Sequence, residues 1–120
     1  MRKILVVDDS LTELHVITGY LESAGYQTIT AENGVEGVSV ARSEKPDLVL
    51  MDVVMPGLNG FQATRKISRD PVTRDIPVVM ITTKDQDTDR EWAMRQGARA
   101  YLVKPVSAPE LIGVLEGILG

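Results

Sequence analysis

Acidic side chains stand where two short apolar runs end. Asp8-Asp9 follow Ile4-Leu5-Val6-Val7, and Asp52 follows Leu48-Val49-Leu50-Met51. A further run ending at Ile81 leads into Thr82-Thr83, and another ending at Val103 leads into Lys104-Pro105. If these run ends converge, three carboxylates, a hydroxyl and an ammonium share one crevice. Carboxylates so gathered repel one another unless a cation joins them. Oxygen ligands too few to fill a coordination shell suit Mg²⁺, with waters completing the octahedron. One oxygen of Asp52 then remains able to attack phosphorus, as an aspartyl-phosphate nucleophile does. The metal, Lys104 and the Thr82 hydroxyl would each take one side of the phosphoryl charge.

Taken singly, each residue has a plainer explanation. An Asp pair before a helix is ordinarily a solvated loop with some capping value, and an Asp or Thr after a buried strand is ordinarily a turn or cap residue. The joint pattern is what argues for a site, because the acids, hydroxyl and amine occupy only those run ends where they can meet.

The elements that must bring them together are legible as an alternation. Short β-branched runs at Ile4–Val7, Tyr26–Thr30, Leu48–Met51, Ile76–Ile81 and Ala100–Val103 have the continuous apolarity of strands buried on both faces. Between them lie amphipathic stretches with helix punctuation. Ser10-Leu11-Thr12-Glu13 reads as a capping box ahead of Leu14, Ile17 and Leu21, with Gly25 as the stop. Asn33 caps a second helix, with Val35, Val38 and Ala41 on its buried face and Pro46 barring continuation. Gly60, Ala63 and Ile67 mark a third that ends near Asp70-Pro71. The fourth, from Gln86 to Gln96, is polar through its first two turns and stops at Gly97. Ser107-Ala108-Pro109-Glu110 opens the fifth, with Leu111, Val114, Leu115 and Ile118 behind it.

Strict alternation of strand and helix predicts an α/β fold, a doubly wound five-stranded parallel sheet of order 2-1-3-4-5 in a flavodoxin-like sandwich. In that order the first and fourth strands flank the third. Asp8, Asp9 and Thr82 then lie one strand spacing from Asp52, about 4.8 Å, and Lys104 two spacings away, roughly 9–10 Å, which a long side chain can span.

At 120 residues the chain fits one domain, expected to run over residues 1–120 without a linker, and no output domain is expected after the fifth helix. It has no cysteine, which excludes disulfides and thiolate metal sites. Its apolar runs are far shorter than the roughly 18 residues a membrane helix needs, so a cytoplasmic protein without membrane insertion is expected. A net charge of −4 argues against direct contact with nucleic acid.

Over essentially its whole length the chain resembles the receiver family of two-component response regulators. The resemblance rests on Ile4-Leu5-Val6-Val7-Asp8-Asp9-Ser10, Asp52-Val53-Val54-Met55-Pro56-Gly57-Leu58-Asn59-Gly60, the Thr82 strand end and Tyr101-Leu102-Val103-Lys104-Pro105. It implies phosphorylation of Asp52 by a histidine kinase or a histidine phosphotransfer domain. It also implies Mg²⁺ held by Asp9, Asp52 and the Val54 carbonyl, with Asp8 acting mostly through a metal-bound water. Thr82 and Tyr101 are implied as switch residues, and the Lys104–Pro105 bond as cis. Such a protein is a phosphoacceptor regulator rather than an enzyme, and is read by a downstream protein on the face of the fourth helix, fifth strand and fifth helix. Val54 and Lys84 flank the path of the hydrolytic water where many members carry polar groups, which weighs against fast self-dephosphorylation. A narrower resemblance, carried by Met55 to Arg65, Thr82 to Asp89, Trp92 and Arg95 to Arg99, is to single-domain regulators of type IV pilus twitching motility, beside chemotaxis-like control.

Two other classes compete. A haloacid-dehalogenase-like Mg²⁺ phosphatase also uses an Asp nucleophile after a strand, but wants a second Asp where this chain has Val54. A flavodoxin-like FMN protein would need a phosphate loop where Asp8-Asp9 would repel phosphate. Elsewhere, His15 reads as a solvated helix residue, and Met51, Met55 and Met80 as core fillers or loop anchors. Trp92 either anchors the fourth helix or offers a partner surface.

Overall fold

The computed structural model describes all 120 residues. In chain order the elements are β1 (Lys3–Val7), α1 (Leu11–Ser23), β2 (Gln27–Ala31), α2 (Gly34–Glu44), β3 (Leu48–Met51), α3 (Gly60–Arg69), β4 (Val78–Thr82), α4 (Asp87–Arg95), β5 (Ala100–Val103) and α5 (Ala108–Leu119). All strand pairs are parallel, in the order β2-β1-β3-β4-β5. The expected fold is the observed one.

The sheet is buried on both faces, which explains its continuous apolar runs. Successive residues point to opposite sides, so β1 divides its side chains between two cores. Ile4 and Val6 pack with Leu14, Ile17 and Leu21 of α1 and Leu111 and Leu115 of α5. Leu5 and Val7 pack on the other side with Ala41 of α2, Ala63 and Ile67 of α3 and Ala93 of α4.

Most punctuation acts as its chemistry suggests. Ser10 accepts from the Glu13 amide and Asn33 from the Glu36 amide, each covering an orphan N–H of a first helical turn. For α1 only this half of the capping box forms. The full box occurs instead on α3, where Asn59 and Gln62 exchange bonds of 2.9 Å in both directions. Strand edges differ by a residue or two where loop bonds compete. The Tyr26 amide is spent on Leu21 O, closing α1, so β2 begins at Gln27. The Ile76 amide turns back to Thr73 O, and β4 begins beyond Pro77.

One expectation about α2 is corrected. Val35 is 67% exposed, and the buried face is Gly34, Gly37 and Ala41. The reason is closeness. A Cβ on Gly37 would meet Val7 Cγ2 at 2.9 Å, and one on Gly34 would meet Leu58 O at 2.2 Å. The helix lies so near the sheet that glycine, not valine, faces inward. No helix is long and apolar enough to cross a membrane.

Candidate functional site

The strand ladders continue one residue past β1 and β3, and that extension sets the crevice. The Asp8 amide donates to Ala31 O at 3.1 Å, and the Asp52 amide to Val7 O at 3.0 Å. Both acids are therefore held by backbone bonds of the sheet rather than by a free loop. On the far side, the Lys104 amide donates to Thr82 O at 2.8 Å, which ties the amine-bearing loop to the end of β4. Behind Asp52, α3 begins in contact with its carbonyl. A Cβ on Gly60 would lie 2.0 Å from Asp52 O, and the Gly60 amide donates to Val53 O at 2.9 Å.

Carboxylate oxygens of Asp8, Asp9 and Asp52 lie within 4.8 Å of one another. Asp8 and Asp52 are only 4% and 6% exposed, whereas Asp9 faces solvent. Lys104 reaches across β4 towards Asp52, two strand spacings away, and on to Asp8 at the end of β1. Its Nζ sits 2.7 Å from Asp8 Oδ2 and 3.9 Å from Asp52 Oδ1. Glu13, which the sequence presented only as a capping partner, adds a carboxylate 3.8 Å from the same ammonium. That contact joins residues far apart in the chain, and local sequence held no signal for it.

Asp52 carries the electrostatic burden. Its pKa is pushed up from 3.8 to about 6, first by burial and then by the charge of Asp8. Lys104 and the Val53 amide, which donates to Oδ1 at 2.9 Å, pull the other way. For Lys104, burial favours the neutral amine, but the Asp8 hydrogen bond and the charges of Asp52 and Asp8 outweigh it, and the pKa rises. The ammonium therefore stays charged, and the crevice holds one cation against three central acids. Hard oxygen donors with an unbalanced negative charge fit a divalent ion of the Mg²⁺ type.

Thr82 is fully buried at the end of β4. It stands two residues after Met80, the partner of Met51 on β3, and so lies at the same end of the sheet as Asp52. Its hydroxyl accepts from the Lys84 amide at 3.3 Å, which leaves its own proton available to a ligand. Val54 lies two residues beyond Asp52 with its side chain largely in solvent, and shares a 200 Å³ hollow with Lys84. Tyr101, on β5, has its ring buried and donates its hydroxyl to Lys84 O at 2.8 Å. Burial, followed by the nearby Asp89 charge, pushes its pKa up to about 12. Arg90 of α4 covers the ring at 5.4 Å from its centroid, a contact for which the sequence held no local signal.

The residues that tempt other readings lie apart. His15 is exposed on α1, and Met51, Met55 and Met80 are buried. Trp92 is 46% exposed on α4.

Comparison with known proteins adds an independent line. The family described as response regulator receiver domain matches residues 4–116. The chain is similar to the protein PilH of Pseudomonas aeruginosa, at 56% identity over 119 residues that cover 99% of this chain and 98% of the relative. Among solved structures it is similar to chemotaxis protein CheY4 of Vibrio cholerae, with a TM-score of 0.93, 30% identity and 98% of each chain covered. A receiver domain of a sensor histidine kinase from Pseudomonas aeruginosa, described with a magnesium ion coordinated in its active site cleft, superposes with a TM-score of 0.90. It is 33% identical and covers 97% of this chain and 95% of its own.

Proposed function

The chain belongs to the response regulator receiver family, a family of signalling modules, and from that premise we propose that Asp52 is its phosphoacceptor. The observation that carries this reading is the central place of Asp52: buried, beside Asp8 and Asp9, and within 3.9 Å of the Lys104 ammonium. Asp8, Asp9 and Asp52, with the Val54 carbonyl, form the metal site of this reading. A bound Mg²⁺ offsets the negative charge of the carboxylates and of incoming phosphoryl oxygens.

The chain's own residues then divide the work. An Asp52 oxygen attacks phosphorus, forming a P–O bond as the P–N bond of a phosphohistidine breaks and the imidazole departs. Lys104 turns from Asp8 towards the new phosphoryl oxygens, a short movement since its Nζ already lies near both acids. The Thr82 hydroxyl donates to another of those oxygens. Tyr101 pairs with Met80, two residues before Thr82 on β4, so a shift of the Thr82 strand end would be passed to the ring and to Arg90 above it. The signal leaves on the face of α4, β5 and α5, towards a protein partner.

The donor class is a histidine kinase or histidine phosphotransfer domain, and because such donors are charged from ATP the reaction belongs to the cytoplasm. The 56% identity to PilH supports a place in type IV pilus and twitching control, with chemotaxis-like signalling as the wider setting. Residues 1–120 act as one receiver domain. The phosphatase alternative lacks the second acid, since Val54 occupies its position.

Incubation with a small phosphodonor and Mg²⁺, followed by mass mapping, tests the assignment. One base-labile phosphoryl group is expected, on Asp52, and Asp52→Asn should accept none. Comparable labelling of Asp8 or Asp9 in that variant would overturn it.

A further inference from the structure

The groove between α2 and α3 takes no part in the crevice chemistry. It encloses about 750 Å³ and is walled by Arg42 from the last turn of α2 and by Arg65, Lys66 and Arg69 of α3. Four of the chain's 13 basic residues thus line one groove of a protein whose net charge is −4. The single acid on its border, Asp70, is already paired with Arg42. Arg65, Lys66 and Arg69 make no ion pair with any carboxylate of the chain. Between the cations, Val38 and Leu58 expose part of their apolar surface while packing on the core.

Three features select the occupant. The cations are spread along more than a turn of α3 and across to α2, which suits several separated anionic groups rather than one compact anion. Arg42, Lys66 and Arg69 stand at helix C-terminal turns, where the dipole is negative and carbonyls point outward, so no backbone cradle for a phosphate exists there. The apolar strip of Val38 and Leu58 asks for an aliphatic or aromatic group between the charges. We infer that this groove docks an acidic peptide segment of a partner protein, its carboxylates on Arg65, Lys66 and Arg69 and an apolar side chain on Val38 and Leu58. The inference stands on the unpaired cations and does not require that Asp52 be phosphorylated.

The test uses the whole chain and a short fluorescent peptide of glutamates interrupted by leucines, with binding read by anisotropy and by amide shifts. Shifts are expected within 38–42 and 58–70. Arg65→Glu with Arg69→Glu should weaken binding by about tenfold, since two exposed ion pairs become repulsions. Arg2→Glu with Arg99→Glu changes net charge equally on exposed residues outside the groove and should weaken it by less than about twofold. If the first pair impairs folding by circular dichroism, Arg65→Gln with Arg69→Gln takes its place and should give a smaller loss in the same direction. Equal weakening by both pairs would overturn the inference, as would shifts located elsewhere. So would undiminished binding of a peptide with serines in place of the leucines, or tighter binding of inorganic triphosphate or a single-stranded oligonucleotide at the same groove.

Discussion

Helix α1 lays Leu14, Ile17 and Leu21 into the core, whereas α4 commits only Ala93, leaving Trp92 and Met94 about half exposed. Both helices follow strands whose ends carry site residues, Asp8 in one case and Thr82 in the other. The difference follows from what each must hold. The β1–α1 connection positions Asp8, the hydrogen-bond partner of Lys104, and a shift there would undo the charge balance of the crevice. Helix α4 holds no acid of the crevice. It covers Tyr101 through Arg90, and under the proposed function its light anchoring is what would let it shift at little cost when Asp52 is phosphorylated.

The largest effect that separates the two helices is expected in core truncation. Leu21 is fully buried, and Leu21→Ala should cost about 2–5 kcal/mol in denaturant unfolding. Trp92→Ala, despite removing a larger side chain, should stay below about 1 kcal/mol, because nearly half of the residue is already in water. A Trp92→Ala cost as large as that of Leu21→Ala would erase the contrast.

The second effect concerns the acids that α1 helps to position. They converge only on folding, so their repulsion burdens the native state. With the Asp52 pKa raised from 3.8 to about 6, the burden is complete above pH 6 and is relieved as pH falls through 6 towards 3.8. In EDTA at neutral pH, Asp52→Asn should therefore stabilise the protein by roughly 1–3 kcal/mol. Saturating Mg²⁺ should stabilise the parent by mass action and the variant less. A parent indifferent to Mg²⁺, together with a destabilised variant, would mean that the acids do not form one cation site.

The contrast between the helices also marks what could be read from the chain. The crevice was legible because its residues close short apolar runs, and strand order converts run ends into neighbours. Lys104 followed from the same geometry, since only a long side chain crosses two strand spacings. The polarity of α4 was legible too, as a shortage of apolar residues at helical spacing. Hidden were contacts that depend on how closely elements approach. The inward turn of Gly34 and Gly37 in place of Val35 reflects the near contact of α2 with Val7 and Leu58, and periodicity carries no record of distance. Glu13 beside Lys104, and Arg90 above Tyr101, join side chains far apart in sequence, and each looked like an ordinary solvated helix charge.

That Arg90 contact supplies the smallest effect and the finest test of how α4 is held. The guanidinium stands 5.4 Å from the Tyr101 ring centroid, and Nη1 donates to Tyr101 O at a long 3.4 Å. A cation over an aromatic ring at a partly solvated site contributes about 0.5–1 kcal/mol, and the stretched hydrogen bond adds little. The tyrosine hydroxyl is anchored separately on Lys84 O, so removing the arginine should loosen α4 without freeing the ring. Arg90→Ala is thus expected to lower stability by about 0.5–1 kcal/mol and to speed amide exchange in α4, with α1 unchanged. A double-mutant cycle with Tyr101→Leu isolates the pair, and its coupling energy should be of the same size. Zero coupling, with exchange in α4 unaltered, would leave Ala93 as the principal tether of the helix. Coupling well above about 1 kcal/mol would show α4 to be held as firmly as α1, and the difference between the two helices would lose its functional meaning.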